Sequence, residues 1–143
     1  MAPVPLHYVD LRAFCFVTED EKRVKGALRT FLPEEFPVKR AESEGYHGDR
    51  ILVLSARTEN ADEVRTVLDR VGDLPADELN RVRGELGERV DENCSLFLSF
   101  DKQAAFDGDV RLGDGITFRA KVEAYPAKRE TAIENARELF EGL

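Results

Sequence analysis

Along residues 7–17 apolar side chains fall on every second position: Val9, Leu11, Ala13, Cys15 and Val17, with Tyr8, Asp10 and Arg12 between them. A period of two predicts a strand with one buried face. Phe14 and Phe16 replace the polar set near its end. The period then lengthens. Val24, Ala27, Leu28, Phe31 and Leu32 follow helical spacing, and Pro33 closes the run. Thr18 with Glu21 three residues on reads as a capping box at the helix start.

Residues 36–44 form a mixed, polar strand, and residues 50–57 (RILVLSAR) a strongly apolar one. The two-glycine segment 45–49 between them predicts a hairpin. Asn60 caps the next helix, with Glu63 three residues on and Val64, Val67, Leu68 and Val71 as its stripe. Gly72 and Pro75 interrupt it. A further helix runs over residues 76–90 on Leu79, Val82, Leu86 and Val90; Gly84 and Gly87 each weaken it by about 1 kcal/mol relative to Ala. Alternation returns at Cys94, Leu96, Leu98 and Phe100. Residues 102–107 read as a connection, 110–112 as a short strand and Gly113-Asp114-Gly115 as a turn. The cleanest alternation runs over residues 116–125, from Ile116 to Tyr125, and Pro126 ends it. Residues 127–143 close the chain as a helix with Ala132, Ile133, Ala136, Leu139 and Phe140 on one face.

The order is β-α-β-β-α-α-β-β-β-α. Strands arrive in hairpins rather than alternating with helices. This predicts an α+β fold: one domain over residues 1–143, with a largely antiparallel sheet and helices packed on one face. No internal repeat of 20–50 residues is present.

Composition changes this picture in two places. A length of 143 residues with 42% hydrophobic side chains is enough for one real core. No apolar run approaches the roughly 18 residues of a membrane span, and the first residues lack the basic and apolar regions of a signal peptide. A cytoplasmic protein with no membrane partner is expected. The charge is the second. The chain carries 29 acids and 21 bases, net −8, and its bases are 15 Arg but only 6 Lys. An acidic chain with lysine suppressed has the character of a halophilic cytoplasm. The acid excess lies in helical stretches, net −6 over residues 59–93, while residues 102–129 are net +2.

Catalytic and metal chemistry find little support. The two histidines, His7 and His47, are far apart, and Cys15 and Cys94 fall on the apolar phase of strands. There is no nucleophile elbow and no phosphate loop. Neither catalysis, metal nor cofactor is expected. The polar phases of the strands carry more. If helices cover one face, the other shows Tyr8, Asp10 and Arg12, then Ser95, Phe97 and Ser99, then Thr117, Arg119, Lys121, Glu123 and Tyr125. Arginines beside exposed aromatic rings suit RNA, since both stack on bases and the cations pair with phosphate. Lys102, Gln103, Arg111, Lys128 and Arg129 lie near the ends of the same strands. The candidate RNA-binding set is therefore Arg12, Lys102, Gln103, Arg119, Lys121, Tyr125, Lys128 and Arg129. The same pattern also fits a solvated face laced by cross-strand ion pairs involving Asp10, or an interface to another protein subunit or a second copy, the chain being a monomer or homodimer.

Three stretches carry a resemblance: HYVDLRAFCFVTEDEKRVKGAL, EGYHGDRILVLSAR and LSFDKQAAFDGDVRLGDGITFRAKVEAYPAKRE. Together they span about half the chain, and their order and separation resemble those of a family of small archaeal proteins described as RNA-binding or as predicted exosome subunits. The resemblance implies a fold similar to that of the ribosomal protein that binds 5S rRNA. It also implies RNA as partner and an accessory role beside RNA-processing subunits. It implies no catalytic residues. The family often has a second histidine where Tyr46 stands. His47 and Arg50, at this turn, form a second candidate RNA contact.

Overall fold

The computed structural model describes residues 5–44, 48 and 50–143. Leu6–Phe16 forms β1, and its period of two is realised in space: Val9, Leu11, Ala13 and Cys15 are buried, while Arg12, Phe14 and Phe16 are exposed. β1 pairs with Arg50–Thr58 (β3) on one side and Gly115–Val122 (β5) on the other. Lys39–Glu44 (β2) extends the sheet beyond β3, and Ser95–Asp101 (β4) extends it beyond β5. The spatial order is β2-β3-β1-β5-β4, and every neighbouring pair is antiparallel. The α+β architecture read from the sequence is the observed one.

Among the described residues there are six helices: Glu21–Arg29 (α1), Ala61–Val71 (α2), Ala76–Gly84 (α3), Leu86–Arg89 (α4), Lys102–Phe106 (α5) and Arg129–Glu141 (α6). Their apolar stripes cover the buried phase of the sheet. In α2 the cap is as the sequence indicates, with Asn60 Oδ1 accepting from the Glu63 N–H at 2.9 Å, and Val64, Val67, Leu68 and Val71 are all buried. The two layers meet on aromatic rings. Phe31, after α1, lies 4.7 Å from Phe100 of β4, which meets Phe118 of β5 edge-on at 6.0 Å. All three are fully buried, each contributing roughly 1.5–3 kcal/mol by burial alone. Among the described residues no helix is long and apolar enough to cross a membrane.

The structure departs from the sequence reading in several details: Val17, expected on the buried phase, lies past β1 and is exposed, and β2 begins at Lys39 rather than at residue 36. Asp20, not Thr18, caps α1, accepting from the Lys22 N–H at 2.9 Å. The helix starts later because Glu19 folds back to accept from the Phe16 N–H, closing a turn first. The helix over residues 76–90 breaks at Glu85, between the two glycines that weaken it. Residues 102–107, read as a connection, contain α5, capped by Asp101 through the N–H groups of Gln103 and Ala104. Residues 110–112 make no strand but one bridge, Leu112 to Phe100. β5 ends at Val122 rather than Tyr125, its last rung continued by the Glu123 N–H to the Pro5 carbonyl. β2 and β3 pair down to Glu44 opposite Arg50, as a hairpin requires; of its turn, residues 45–47 and 49 lie outside the described residues.

Cys15 and Cys94 are free and buried, and they sit toward opposite ends of the sheet. Cys15 pairs with Leu52, whereas the Cys94 carbonyl accepts from Val122.

Lys102 ties the layers together. Its ammonium reaches across to β1, donating to the Phe14 carbonyl at 3.0 Å and to the Glu19 carboxylate at 2.9 Å. The first residue of β5 presses on its stem. Gly115 sits at φ +116°, and a Cβ there would lie 2.5 Å from the Lys102 Cβ. Gly115→Ala should therefore lower stability by about 1–3 kcal/mol through overpacking, read as a fall in the urea midpoint.

Burial alone would push the Glu19 carboxyl up. The hydrogen bonds from Lys102 and from the Phe16 N–H, with the Lys102 charge, outweigh it and hold the group below its ordinary value near 4.5. A depressed carboxyl stabilises the fold above its unfolded value, and that stability is lost as pH falls through the folded one. Glu19→Gln should cost roughly 1.5–3 kcal/mol at pH 7. Urea titrations from pH 7 to 3 should show the gap to the parent chain closing below about pH 4.5.

Candidate functional site

The sheet face away from the helices is organised in rows, because directly opposite residues of antiparallel strands share one face. One row reads Arg57, Asp10, Arg119 and Phe97, from β3 through β1 and β5 to β4. The next reads Lys39, Ser55, Arg12, Thr117 and Ser99. The third holds Tyr8, Lys121 and Ser95. These three rows carry five cations against one carboxylate, a local charge of +4 in a chain of −8.

Asp10 is the hinge of this arrangement. Its carboxylate accepts two hydrogen bonds from Arg57, at 2.6 and 2.9 Å, and one from Arg119 at 3.2 Å. The bond to Asp10 holds the Arg57 guanidinium above its ordinary value, against a weaker opposing effect of burial. The Arg57 guanidinium also lies 4.0 Å from the centre of the Tyr8 ring. A guanidinium has five N–H donors. Asp10 takes two from Arg57 and one from Arg119, so the clamp fixes both side chains and leaves donors for a ligand. Arg12 is exposed, its guanidinium 5.5 Å from the Phe14 ring, and among the described residues it has no ion-pair partner.

The first two rows floor an open groove of about 690 Å³ that reaches all five strands, with Phe36 and Lys39 at the β2 side, Phe97 on β4 and Glu59, just past β3, as a second carboxylate beside Asp10. It offers planar cations and flat apolar rings together, the combination that holds a phosphate and a base at once.

The residues singled out from sequence divide sharply. Arg12, Arg119 and Lys121 share this face, with Lys121 donating to the Asn93 carbonyl. Lys102 does not present its charge: it is 9% exposed, held by Glu19 and the Phe14 carbonyl. Gln103 is exposed in the first turn of α5. Tyr125, past the end of β5, is 84% exposed on the wall of a separate groove of about 650 Å³, with Leu68 of α2 and Leu139 of α6. Lys128 precedes α6, and the Arg129 guanidinium donates to the carbonyls of Val90 and Gly87 at the end of α4. Arg111 pairs with the buried Glu78 at 3.0 Å. Arg50 falls on the helix-side phase of β3, 3.8 Å from Glu42, and His47 lies outside the described residues.

Sequence reasoning missed Arg57 and Lys39. RILVLSAR reads as one apolar run, which hides its period. Leu52, Leu54 and Ala56 are buried, so Ile51, Val53, Ser55 and Arg57 form the open phase. Counting by twos from Leu52 finds Arg57, and register then finds Lys39 opposite Ser55.

Four likenesses place this geometry. The family model described as RNA binding matches residues 8–122. RNA-binding protein PAB1135 of Pyrococcus abyssi is 36% identical over 145 residues, covering 95% of this chain and 94% of that protein. Among solved structures, protein AF2318 of Archaeglobus fulgidus has a TM-score of 0.85 at 30% identity, covering 94% of this chain and 99% of that one. Mth689, a DUF54 protein of Methanothermobacter thermautotrophicus, has a TM-score of 0.79 at 38% identity, covering 94% and 98%. With the match running through β1, β3, β4 and β5, the strands that carry most of the cationic rows, the chain belongs to the RNA-binding family.

Proposed function

We propose that the open sheet face binds RNA, and that the chain acts as a non-catalytic accessory factor beside an RNA-processing or exosome complex. One observation carries the first part. Five cations and one carboxylate converge on three rows of a protein whose net charge is −8. A cationic face has no value for the solubility of an acidic chain, whereas each cation can replace a condensed counterion on a phosphate backbone. Arginine and aromatic rings occur at protein interfaces too, but five cations against one carboxylate need an anionic partner, and a polyanion supplies it along its whole length. The accessory role rests on the resemblance of residues 7–28, 44–57 and 98–130 to archaeal proteins described as RNA-binding or as predicted exosome subunits. It is tested by affinity purification after nuclease treatment: processing subunits that persist support it, and their loss removes it.

Filter binding to a structured RNA and to a single strand, over graded KCl, tests the face itself. Arg12→Ala and Arg119→Ala should each cost about 1–3 kcal/mol of affinity, and each should reduce the slope of log K against log salt by roughly 0.7–0.9. Thermal midpoints should barely move for Arg12, which no carboxylate among the described residues holds. Arg119→Ala should cost less than about 1 kcal/mol of stability, the range of a half-exposed pair. Arg119→Lys should recover part of the affinity only, since an ammonium cannot present a planar fork. If neither RNA is retained at tens of micromolar protein, the proposal falls.

A further inference from the structure

On β1 the open phase does not stop at Arg12. It continues to Phe14 and Phe16, which are 41% and 48% exposed. Period two puts them on one face about 7 Å apart. Their row partners are apolar or small: Val53 and Ala41 beside Phe14, Ile51 and Ser43 beside Phe16. Each ring is flanked by a cation, Arg12 at 5.5 Å from Phe14 and the Lys102 ammonium at 5.3 Å from Phe16. The face thus has two contiguous halves on its central strand. The cationic rows end at Arg12, and two aromatic rings on an uncharged floor begin at Phe14.

Resting on the reading of this face as an RNA surface, we infer that it takes unpaired RNA. Two bases lie on Phe14 and Phe16, and the neighbouring phosphates lie on Arg12 and the rows beyond it. The spacing selects this ligand. Bases in a helical strand rise about 3.4 Å per residue, half the separation of the two rings, so neighbouring bases can lie flat on both only when the strand is drawn out. A duplex cannot comply: A-form RNA buries its base faces in the stack and its major groove is too deep and narrow for side chains. It could meet the cations but not the rings. On its β3 and β2 side the floor beside the rings carries no acid among the described residues, and together with the adjoining +4 rows this favours a polyanion over an apolar protein segment. The contribution of the rings is non-ionic and so survives high salt, where phosphate contacts are screened.

The experiment measures binding of an unstructured 12-nucleotide single strand and a blunt 12-base-pair RNA duplex. It compares the parent chain, Phe14→Leu, Phe16→Leu and the double variant, using fluorescence anisotropy over graded KCl. Leucine keeps apolar bulk, and thermal midpoints identify any variant that fails to fold. A single strand carrying one 2-aminopurine reports stacking directly, by quenching. The inference expects the single strand to bind at least tenfold more tightly than the duplex. Each Phe→Leu change should weaken single-strand binding about tenfold, with an unchanged salt slope, little effect on the duplex and lost quenching. Equal binding of both RNAs with no effect of the Phe variants would overturn the inference while leaving the RNA surface standing. No binding of either RNA by the parent chain would overturn both. A fourth result would make the rings a protein interface and overturn the inference as well: a self-associated parent that the double variant turns monomeric by light scattering, with single-strand affinity intact.

Discussion

β1 is hydrogen-bonded on both sides, to β3 and to β5, and a slip of one residue in either register would turn Val9, Leu11, Ala13 and Cys15 out into water. The core holds that register, and everything on the opposite face inherits it. Asp10 lies between Arg57 and Arg119 because Leu11 lies between Ala56 and Phe118. The cationic rows are thus positioned by apolar burial on the far side of the sheet, not by their own attractions. Those attractions are weak. Half-exposed ion pairs are worth about 0–1 kcal/mol, so Asp10 sets the direction of two guanidinium groups more than it secures the fold.

Charge is also unevenly placed along the chain. The helical stretch of residues 59–93 is net −6, while the three central rows of the open face are net +4. A net value of −8 hides this division completely. An anion approaching the open face is drawn in by its cationic rows.

What was legible in the sequence was what short-range periodicity decides. The alternation up to Phe16, the Asn60 cap and the stripe of α2 appear as read, since each depends on neighbours within one turn or one strand, whereas Val17, read as buried, lies past β1 in solvent. Where one side chain had two competing partners, the reading failed. Glu19 leaves the helix start to hold Phe16 and Lys102, and Asp20 takes over the cap. Lys102 reads as a loop cation, yet its partner lies 83 positions away in the chain and draws it inside. Arg57 and Lys39 were hidden for the opposite reason: their strand's solvent phase carries Ile51 and Val53, so no polar rhythm marked it. Tyr125 continued the alternation on paper beyond the point where β1 could still pair with it.

The margins of the sheet bear on how it can change. β4 has its outer side occupied by bridges from Val90 and Leu112. β2, at the other margin, shows all six residues of KRAESE to solvent, and such charges discourage further strand pairing. With both borders closed to backbone recognition, selectivity falls to side chains on the outward phase. Those side chains belong to alternate positions from the ones that build the interior. A lineage can therefore rewrite what the surface recognises, one odd or even position at a time, without touching a residue on which folding depends.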